Sequence, residues 1–140
     1  MTLEDGVRTL LERPNFVHVA TVLPDGGPHV VAVWAGVVED DRVAFFTQAG
    51  SRKGRNLERD PRVAMSIVDF DEPYRTAHLR ARVVETRDGD AGLEVMDELS
   101  VRHTGKPFPY RQGSLYVCEV EHQTYLELPF SRDTSGGVRG

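Results

Sequence analysis

The chain has 140 residues, of which 39% are hydrophobic and 28% are charged, and its formal net charge is −5. This length and composition predict one globular domain, while the acidic balance argues against a general nucleic-acid binder. No apolar run approaches the roughly 20 residues that span a bilayer, so we expect no membrane partner. The N-terminus lacks the basic and apolar regions of a signal peptide, which favours a cytoplasmic location.

The first half of the chain predicts one helix followed by β-structure. Leu3, Val7 and Leu10 recur at helical spacing ahead of a proline. Runs of β-forming residues then alternate with a Pro-Asp-Gly-Gly turn and an acidic turn. We therefore predict a helix over 3–13 and a three-stranded antiparallel meander over 16–23, 29–38 and 42–47.

The second half predicts more strands than helices. Ser51 is the expected N-cap of a short helix that ends before Pro61. Strands are predicted over 62–70, 77–86, 114–120 and 122–128, with a helix over 90–103 and a Gly/Pro-rich loop over 104–113. Because the strands follow one another directly, a doubly wound sheet is excluded. The fold class is mainly β: a split or closed barrel of six or seven antiparallel strands with peripheral helices, as one domain over 1–130 with a polar tail over 131–140.

The most informative stretch runs from Phe45 to Arg62, where a strand ends, a glycine-containing loop turns and a helix begins. A helix N-terminus leaves backbone N–H groups unpaired and carries partial positive charge, which suits a phosphate. Thr47 and Ser51 add hydroxyl donors. Five basic residues face two acidic ones between positions 50 and 62, a local charge of +3 (5 − 2) in an acidic chain: Arg52, Lys53, Arg55, Arg59 and Arg62 against Glu58 and Asp60.

The position of these charges favours a bound anion. Cations in the first helical turn oppose the helix dipole, and a helix with no anion to bind would more readily carry Asp or Glu there. The alternative is an ordinary exposed helix with mixed charges, because many charge runs are only solvated. From the residues alone we predict a cradle for a phosphate-bearing ligand.

The run from Phe46-Thr47 through Ser51-Arg52-Lys53 to Asp60-Pro61-Arg62-Val63 resembles the signature of the pyridoxamine 5′-phosphate oxidase-like, FMN-binding split-barrel superfamily. The order of elements is similar to that family over about residues 5–128. The resemblance implies a homodimer with two cofactor sites at the subunit interface. It also implies the cofactor-binding residues: Val31, Ala32, Val33 and Trp34 beside the ring, Phe46 and Thr47 beside the ribityl chain, Ser51, Arg52 and Lys53 at the phosphate, Arg55 and Asn56 on the same helix, and Thr76 as a further ring contact.

Two departures from the oxidases themselves bear on the activity. His29 stands where they carry an arginine, and the C-terminal substrate-binding extension is not found, so we do not expect oxidation of pyridoxamine phosphate. The chain is more similar to the subgroup that uses the deazaflavin coenzyme F-420, whose anionic tail Arg55, Lys106 and Arg111 are candidates to bind. We therefore expect an F-420-dependent oxidoreductase that transfers hydride to an unsaturated small molecule. An FMN-dependent oxidoreductase of the same fold and a non-catalytic flavin- or haem-binding carrier or sensor are the alternatives.

Other chemically capable residues are given no catalytic or metal-binding role. The five histidines are scattered over different elements without ligand spacing, and Cys118 has no paired base in the sequence. No catalytic acid or base is assigned, because the cofactor would carry the hydride chemistry. For Trp34, packing in the core or a dimer interface and stacking near a planar ring are both open. The aromatic and proline-rich segment 106–111 predicts a lid.

Overall fold

The computed structural model describes residues 1–130, so the predicted tail over 131–140 lies outside it. Seven antiparallel strands form one sheet, around which three α-helices and a 3-10 turn at Glu39–Asp41 pack. This confirms the predicted mainly β split-barrel fold. In chain order the elements are α1 (Asp5–Glu12), β1 (Val17–Val22), β2 (Pro28–Val33), β3 (Ala35–Val38), β4 (Arg42–Gln48), α2 (Arg52–Arg59), β5 (Arg62–Val68), β6 (Arg75–Asp88), α3 (Gly89–Thr104) and β7 (Gly113–Glu127).

The sheet curls into a barrel because its two edge strands are neighbours in the chain. The strand order is β2-β1-β5-β6-β7-β4-β3, and Trp34 alone separates β2 from β3. Since one residue advances the chain by less than about 4 Å, the two edges must meet at Trp34. Each edge strand has its own partner, β2 with β1 and β3 with β4. The barrel is therefore split at this seam.

Two strand predictions are corrected by this topology. The strand predicted over 29–38 is two strands at opposite edges of the sheet, so the predicted meander is two separate hairpins. The break was missed because the β-forming residues of 29–38 continue past Trp34 without a turn signal. Side-chain periodicity does not show where a strand changes its hydrogen-bonding partner. The strands predicted over 114–120 and 122–128 are the single strand β7, and register shifts against β6, one between Arg80 and Ala81, absorb the irregularity.

The main core fills the inside of the barrel. Alternate residues of β5 point inward, namely Val63, Met65 and Ile67, and each is less than 5% exposed. Helix α1 adds Val7 and Leu10 to the same cluster, which explains why its apolar residues have helical spacing. Burial of each such side chain contributes about 1.5–3 kcal/mol.

A second core cluster holds α3 against β4 and β7. Leu93 and Met96 pack there with Phe46, and Leu99 on the same helix is also buried. The apolar spacing of residues 90–103 predicts that Leu93, Met96, Leu99 and Val101 point inward, and the first three do. Val101 is 49% exposed, so the prediction for that residue is wrong. Its position lies off the stripe that Met96 and Leu99 define, because one helical turn takes 3.6 residues.

The face of the sheet that points away from the barrel core combines exposed apolar side chains with histidine and arginine side chains such as His78 and Arg80. Val30 and Leu126 on it are 58% and 46% exposed, and the small side chains of Ala20 and Ala64 occupy paired positions of β1 and β5. Two cavities of about 540 and 460 Å³ lie along this face. Exposed apolar side chains grouped on one face are typical of an interaction surface. We refer to it as the outer sheet face.

Candidate cofactor-binding site

A cavity of about 300 Å³ lies where the barrel seam, the end of β4 and the start of α2 meet. Its volume is at the lower end of the range for small-molecule sites. Aromatic and aliphatic side chains form most of the wall, and one lysine and one serine stand at the α2 end. The lining residues are Phe16, Ala32, Val33, Trp34, Phe46, Gln48, Ser51, Lys53, Met96 and Phe108. Six of these are among the twelve predicted cofactor-binding residues.

The start of α2 has local features that suit a bound anion. Gly50 has a left-handed backbone (φ +76°) that turns the chain out of β4. Ser51 is the N-cap, and its Oγ accepts a hydrogen bond from the Gly54 N–H at 3.1 Å. The N–H groups of Arg52 and Lys53 have no partner within the helix, and no acidic residue lies in the first turn. Unpaired N–H donors at a helix N-terminus are available to an anion.

Close packing behind the helix fixes its position. A Cβ added at Gly54 would lie 3.1 Å from Ser51 Oγ and 3.6 Å from the Tyr116 hydroxyl oxygen. The Tyr116 hydroxyl donates to the Gly54 carbonyl at 3.4 Å, and burial raises the pKa of Tyr116. The helix therefore sits directly on β7, and the tightest approach to Gly54 is that of the Ser51 hydroxyl.

Lys53 is the charged group of the cavity. Its side chain lines the wall and is half-buried, and burial lowers the pKa of its ammonium group. Among residues 1–130 it forms no salt bridge. A half-buried cation without a counter-ion is costly, and an anionic ligand would remove that cost. Arg52 and Arg55 are exposed beside it and also lack an ion pair with any described residue.

The other two cations of the basic run are already engaged. Arg59 donates to the backbone carbonyl of Val22. Arg62 forms a two-pronged salt bridge with Asp60, with Nη2 to Oδ2 at 2.7 Å, and this lowers the pKa of Asp60 to about 2. The cations of the run that no described residue engages are thus Arg52, Lys53 and Arg55, and of these Lys53 lines the cavity.

Thr47 and Asn56 lie behind the cavity wall rather than on it. Thr47 is 3% exposed, and its hydroxyl donates to the Ser114 carbonyl at 3.3 Å. Asn56 is fully buried, and its side-chain amide donates to Thr21 Oγ1 at 3.0 Å. In this structure both residues brace the cradle.

The two remaining predicted contacts lie elsewhere on the sheet. Val31 is paired with Val19 across β1 and β2 and shares the inward side of the barrel. Thr76 is half-buried on β6, paired with Val68 and Leu126 on the outer sheet face. Neither lines the cavity of its own chain.

Several aromatic side chains form the wall of the cavity away from α2. The Trp34 indole stacks on the His103 imidazole with ring centres 4.8 Å apart and an interplanar angle of 12°. Phe108 meets Trp34 edge-on at 6.2 Å and Phe46 at 5.8 Å. Burial and the nearby Arg102 charge lower the pKa of His103, so its neutral form is favoured against the indole. Trp34 packs against the second core cluster, which is one of the roles that the sequence left open, and it also lines the cavity. Stacking on a planar ring stays a prediction.

The loop predicted as a lid is tied to α3. Asp97 accepts from the Phe108 N–H at 3.1 Å and from Arg111 Nη1 at 2.7 Å, and the Arg111 interaction lowers the pKa of Asp97. Ser100 Oγ donates to the Lys106 carbonyl at 2.7 Å. Arg111, a candidate for an anionic tail, is therefore paired, whereas Lys106 is exposed. The loop contributes Phe108 as a fixed part of the cavity wall.

Phe16, Gln48 and His103 are site residues that the sequence reasoning missed. They reach the cavity or its wall from the start of β1, the end of β4 and the end of α3. No local pattern distinguishes them, because their role depends on contacts between distant segments. Phe108 had a signal, since it lies in the unusual aromatic and proline-rich loop.

Three observations concern nucleophilic catalysis, metal binding and membrane crossing. Cys118 is fully buried, and burial raises the pKa of its thiol to about 12, so it is no nucleophile. Within residues 1–130, His, Cys, Asp and Glu side chains form no group of three that could hold a metal ion. Over the same range, none of the helices combines the length and apolar character that crossing a membrane requires.

A split β-barrel with an aromatic cavity and a cationic helix terminus defines a cofactor-binding barrel of the flavin-binding type. Consistent with this, the pyridoxamine 5′-phosphate oxidase family model matches residues 3–124. The chain belongs to that family, which consists of flavin-binding oxidoreductases.

Individual relatives agree with the assignment. A solved F420 reductase is 31% identical, with a TM-score of 0.75, over 87% of this chain and 98% of that one. The pyridoxine/pyridoxamine 5′-phosphate oxidases of Bacteroides thetaiotaomicron and Neisseria gonorrhoeae are 32% and 33% identical over 80% and 85% of this chain. The match covers 48% and 52% of those two enzymes, so the chain spans about half the length of these curated relatives.

Proposed function

We propose that this protein is an oxidoreductase that uses the deazaflavin coenzyme F-420 for hydride transfer to an unsaturated small molecule. The observation that carries the proposal is the half-buried Lys53, which has no counter-ion among the described residues and lies where the aromatic cavity meets the N-terminus of α2. A cofactor with a planar ring and a phosphate-bearing chain suits this cavity, because the ring matches its aromatic end and the phosphate matches its cationic end.

The phosphate end fits the start of α2. The backbone N–H groups of Arg52 and Lys53 and the Lys53 ammonium supply donors and charge. The Ser51 hydroxyl accepts from Gly54 and still has its own proton to donate. Thr47 and Asn56 would act from behind, by holding the loop and the helix in place.

The ring end fits the seam of the barrel. Trp34 and Phe46 offer aromatic faces and edges to a flat ring. Because β2 is an edge strand, the backbone groups of Val31, Ala32 and Val33 that do not bond to β1 are open to a ligand. They could meet the polar edge of the ring, as main-chain groups do when an extended ligand lies along a sheet edge.

The choice of F-420 over FMN is supported by charge and by one relative. FMN needs cations for one phosphate, whereas the F-420 tail carries several more negative charges. Arg52 and Arg55 remain exposed and without described ion pairs next to Lys53, which suits such a tail. The solved F420 reductase matches the chain over nearly its own full length.

The cofactor, when bound, would supply the hydride chemistry. The chain's own residues bind it, orient it and exclude water from it. Phe108, held by Asp97 through the loop, closes the cavity beside Trp34 and narrows the space for a substrate. We assign no catalytic acid or base.

We further propose that the outer sheet face forms a two-fold homodimer interface. Its exposed apolar side chains, such as Val30, Val68 and Leu126, would be covered by the same face of a second copy, as in an isologous contact. A stable interface needs about 800 Å² from each partner. Thr76 lies on this face, so a dimer would allow it to reach the cavity of the other subunit.

The test is direct binding of the two cofactors and their simpler relatives. Trp34 is the only tryptophan of the chain, so quenching of its fluorescence reports occupancy of the cavity. We expect micromolar or tighter binding of F-420, weaker binding of FMN, and weaker binding still of riboflavin, which lacks the phosphate. Reduced F-420 should then be oxidised when unsaturated acceptors are added.

Two outcomes of these binding experiments would replace F-420-dependent reduction by another function. Tight binding of FMN without binding of F-420 would make the protein an FMN-dependent oxidoreductase, which family membership equally allows. Binding of either cofactor without hydride transfer to any acceptor in a broad panel would make it a carrier or sensor. Absorbance and mass of the cofactor that copurifies provide an independent check.

A further inference from the structure

Two of the three buried polar side-chain atoms that lack a partner among residues 1–130 belong to residues on either side of Thr21. They are His29 Nδ1 and Asn56 Oδ1. Thr21 lies between the two residues: it is directly opposite His29 in the β1–β2 ladder, and its Oγ1 accepts from the Asn56 amide at 3.0 Å. Directly opposite residues have Cβ atoms about 4.5–5.5 Å apart on the same face, so His29 and Asn56 flank the same hydroxyl.

The chemistry of the two atoms is complementary. With its amide nitrogen bonded to Thr21, Asn56 presents a carbonyl oxygen, which is an acceptor only. A neutral histidine can carry its proton on Nδ1 and then donates from it. Leaving a buried acceptor and a buried donor both unpaired is costly, so pairing them removes two penalties together.

We propose that His29, in its Nδ1–H tautomer, donates to a water molecule that in turn donates to Asn56 Oδ1, and that this bridged pair positions α2. Asn56 lies one turn after Lys53 on the buried side of α2. The chain Asn56–Thr21–His29 therefore connects the helix to both β1 and β2. The pair of His29 and Asn56 does not depend on a cofactor. Only its consequence for phosphate binding rests on the proposed function.

The consequence concerns geometry at the phosphate. The helix N-terminus and Lys53 move together with Asn56, because they belong to one short rigid helix. A shift of about 1 Å in a binding group is enough to weaken the interaction strongly. His29 and Asn56 are thus positioning residues: neither lines the cavity.

The pair is tested without any cofactor by the tautomeric state of His29. Long-range ¹H–¹⁵N spectra of the full-length protein at pH 8, above the ordinary titration range of histidine, distinguish Nδ1–H from Nε2–H; the spectrum of His29→Gln identifies the signals. We expect Nδ1–H in the wild type and a change to Nε2–H in Asn56→Leu. The Nε2–H form in the wild type, or no response to Asn56→Leu in a folded protein, would overturn the pair.

The positioning role is tested by two near-isosteric replacements. The amide nitrogen of asparagine occupies roughly the Nδ1 position of histidine, and that of glutamine the Nε2 position. We expect His29→Asn to keep FMN affinity within about twofold and His29→Gln to weaken it about three- to tenfold, the range for one buried hydrogen bond. Equal affinities of the two variants would refute the positioning role. If the wild type bound neither FMN nor F-420, the proposed function would fail, while the tautomer measurement would still decide the pair.

Discussion

The basic run from Arg52 to Arg62 has two halves that look alike in the sequence and differ in the structure. In the second half, Arg62 is neutralised by Asp60 and Arg59 is bound to a backbone carbonyl. In the first half, Lys53 is half-buried beside the aromatic cavity and has no counter-ion among residues 1–130, with Arg52 exposed next to it. The halves differ in whether their cations already have an acceptor within the chain, not in the density of charge.

This comparison shows what separates a binding site from a solvated charge run. A cation that already has an acceptor gains little from a ligand, whereas an unpaired, partly desolvated cation gains a charge-assisted hydrogen bond. We therefore expect large effects from substitutions in the first half and small effects in the second.

Replacement of Lys53 by alanine should weaken FMN binding by roughly 10- to 100-fold, because a hydrogen bond to a charged group contributes about 1.5–3 kcal/mol. Riboflavin binding should change little, since it has no phosphate. Lys106→Ala is the matched control, because it removes the other lysine of the chain from an exposed position. Unchanged FMN affinity in a folded Lys53→Ala protein would refute the cradle.

The double replacement Arg52→Ala and Arg55→Ala should weaken F-420 binding by about tenfold and FMN binding by less, because only F-420 has a polyanionic tail. The loss should shrink at high salt, where exposed charges are screened. Isothermal titration with both cofactors at two salt concentrations measures this. An equal loss for the two cofactors would argue against a tail site at these arginines.

The pH dependence of FMN binding should follow Lys53. Burial lowers the pKa of Lys53 in the free protein below its ordinary value of 10.5, and a bound phosphate favours the charged form. Affinity should therefore be constant well below the free-state pKa and fall as the pH rises through it. Riboflavin, titrated in parallel, corrects for ionisation of the ring. An FMN profile that parallels that of riboflavin up to pH 10 would contradict the role of Lys53.

Asp60→Asn, in the neutralised half, should leave FMN affinity within about twofold at pH 7, as expected for an exposed ion pair away from the ligand. The pKa of Asp60 is lowered from 3.8 to about 2, so its contribution to stability is fully present above 3.8 and is lost as the pH falls through about 2. Urea unfolding between pH 5 and 2 should show a flatter acid limb in the variant. A large loss of FMN affinity would erase the distinction between the two halves.

Local sequence patterns predicted the local parts of this structure. The N-cap at Ser51, the helix that follows it and the strand that begins at Arg62 depend on neighbouring residues, and the structure contains all three. Six predicted residues, including Trp34 and Lys53, line one cavity.

The parts that sequence reasoning missed depend on long-range contacts. The break at Trp34 follows from strand pairing at opposite edges of the sheet, which side-chain alternation does not encode. His103 reaches Trp34 from the end of α3, and the neutralisation of Arg62 depends on the geometry of Asp60. Residue type and spacing predict an anion site. Only the folded chain shows which cations remain unpaired.

A crystal structure of the full chain with FMN or F-420 tests the central claim most directly. We expect the cofactor's phosphate to lie within hydrogen-bonding distance of Lys53 Nζ and of the backbone N–H groups at the start of α2. The ring should lie against Trp34. A phosphate bound instead at Arg59 or Arg62, or a cofactor whose phosphate makes no contact with the start of α2, would contradict it.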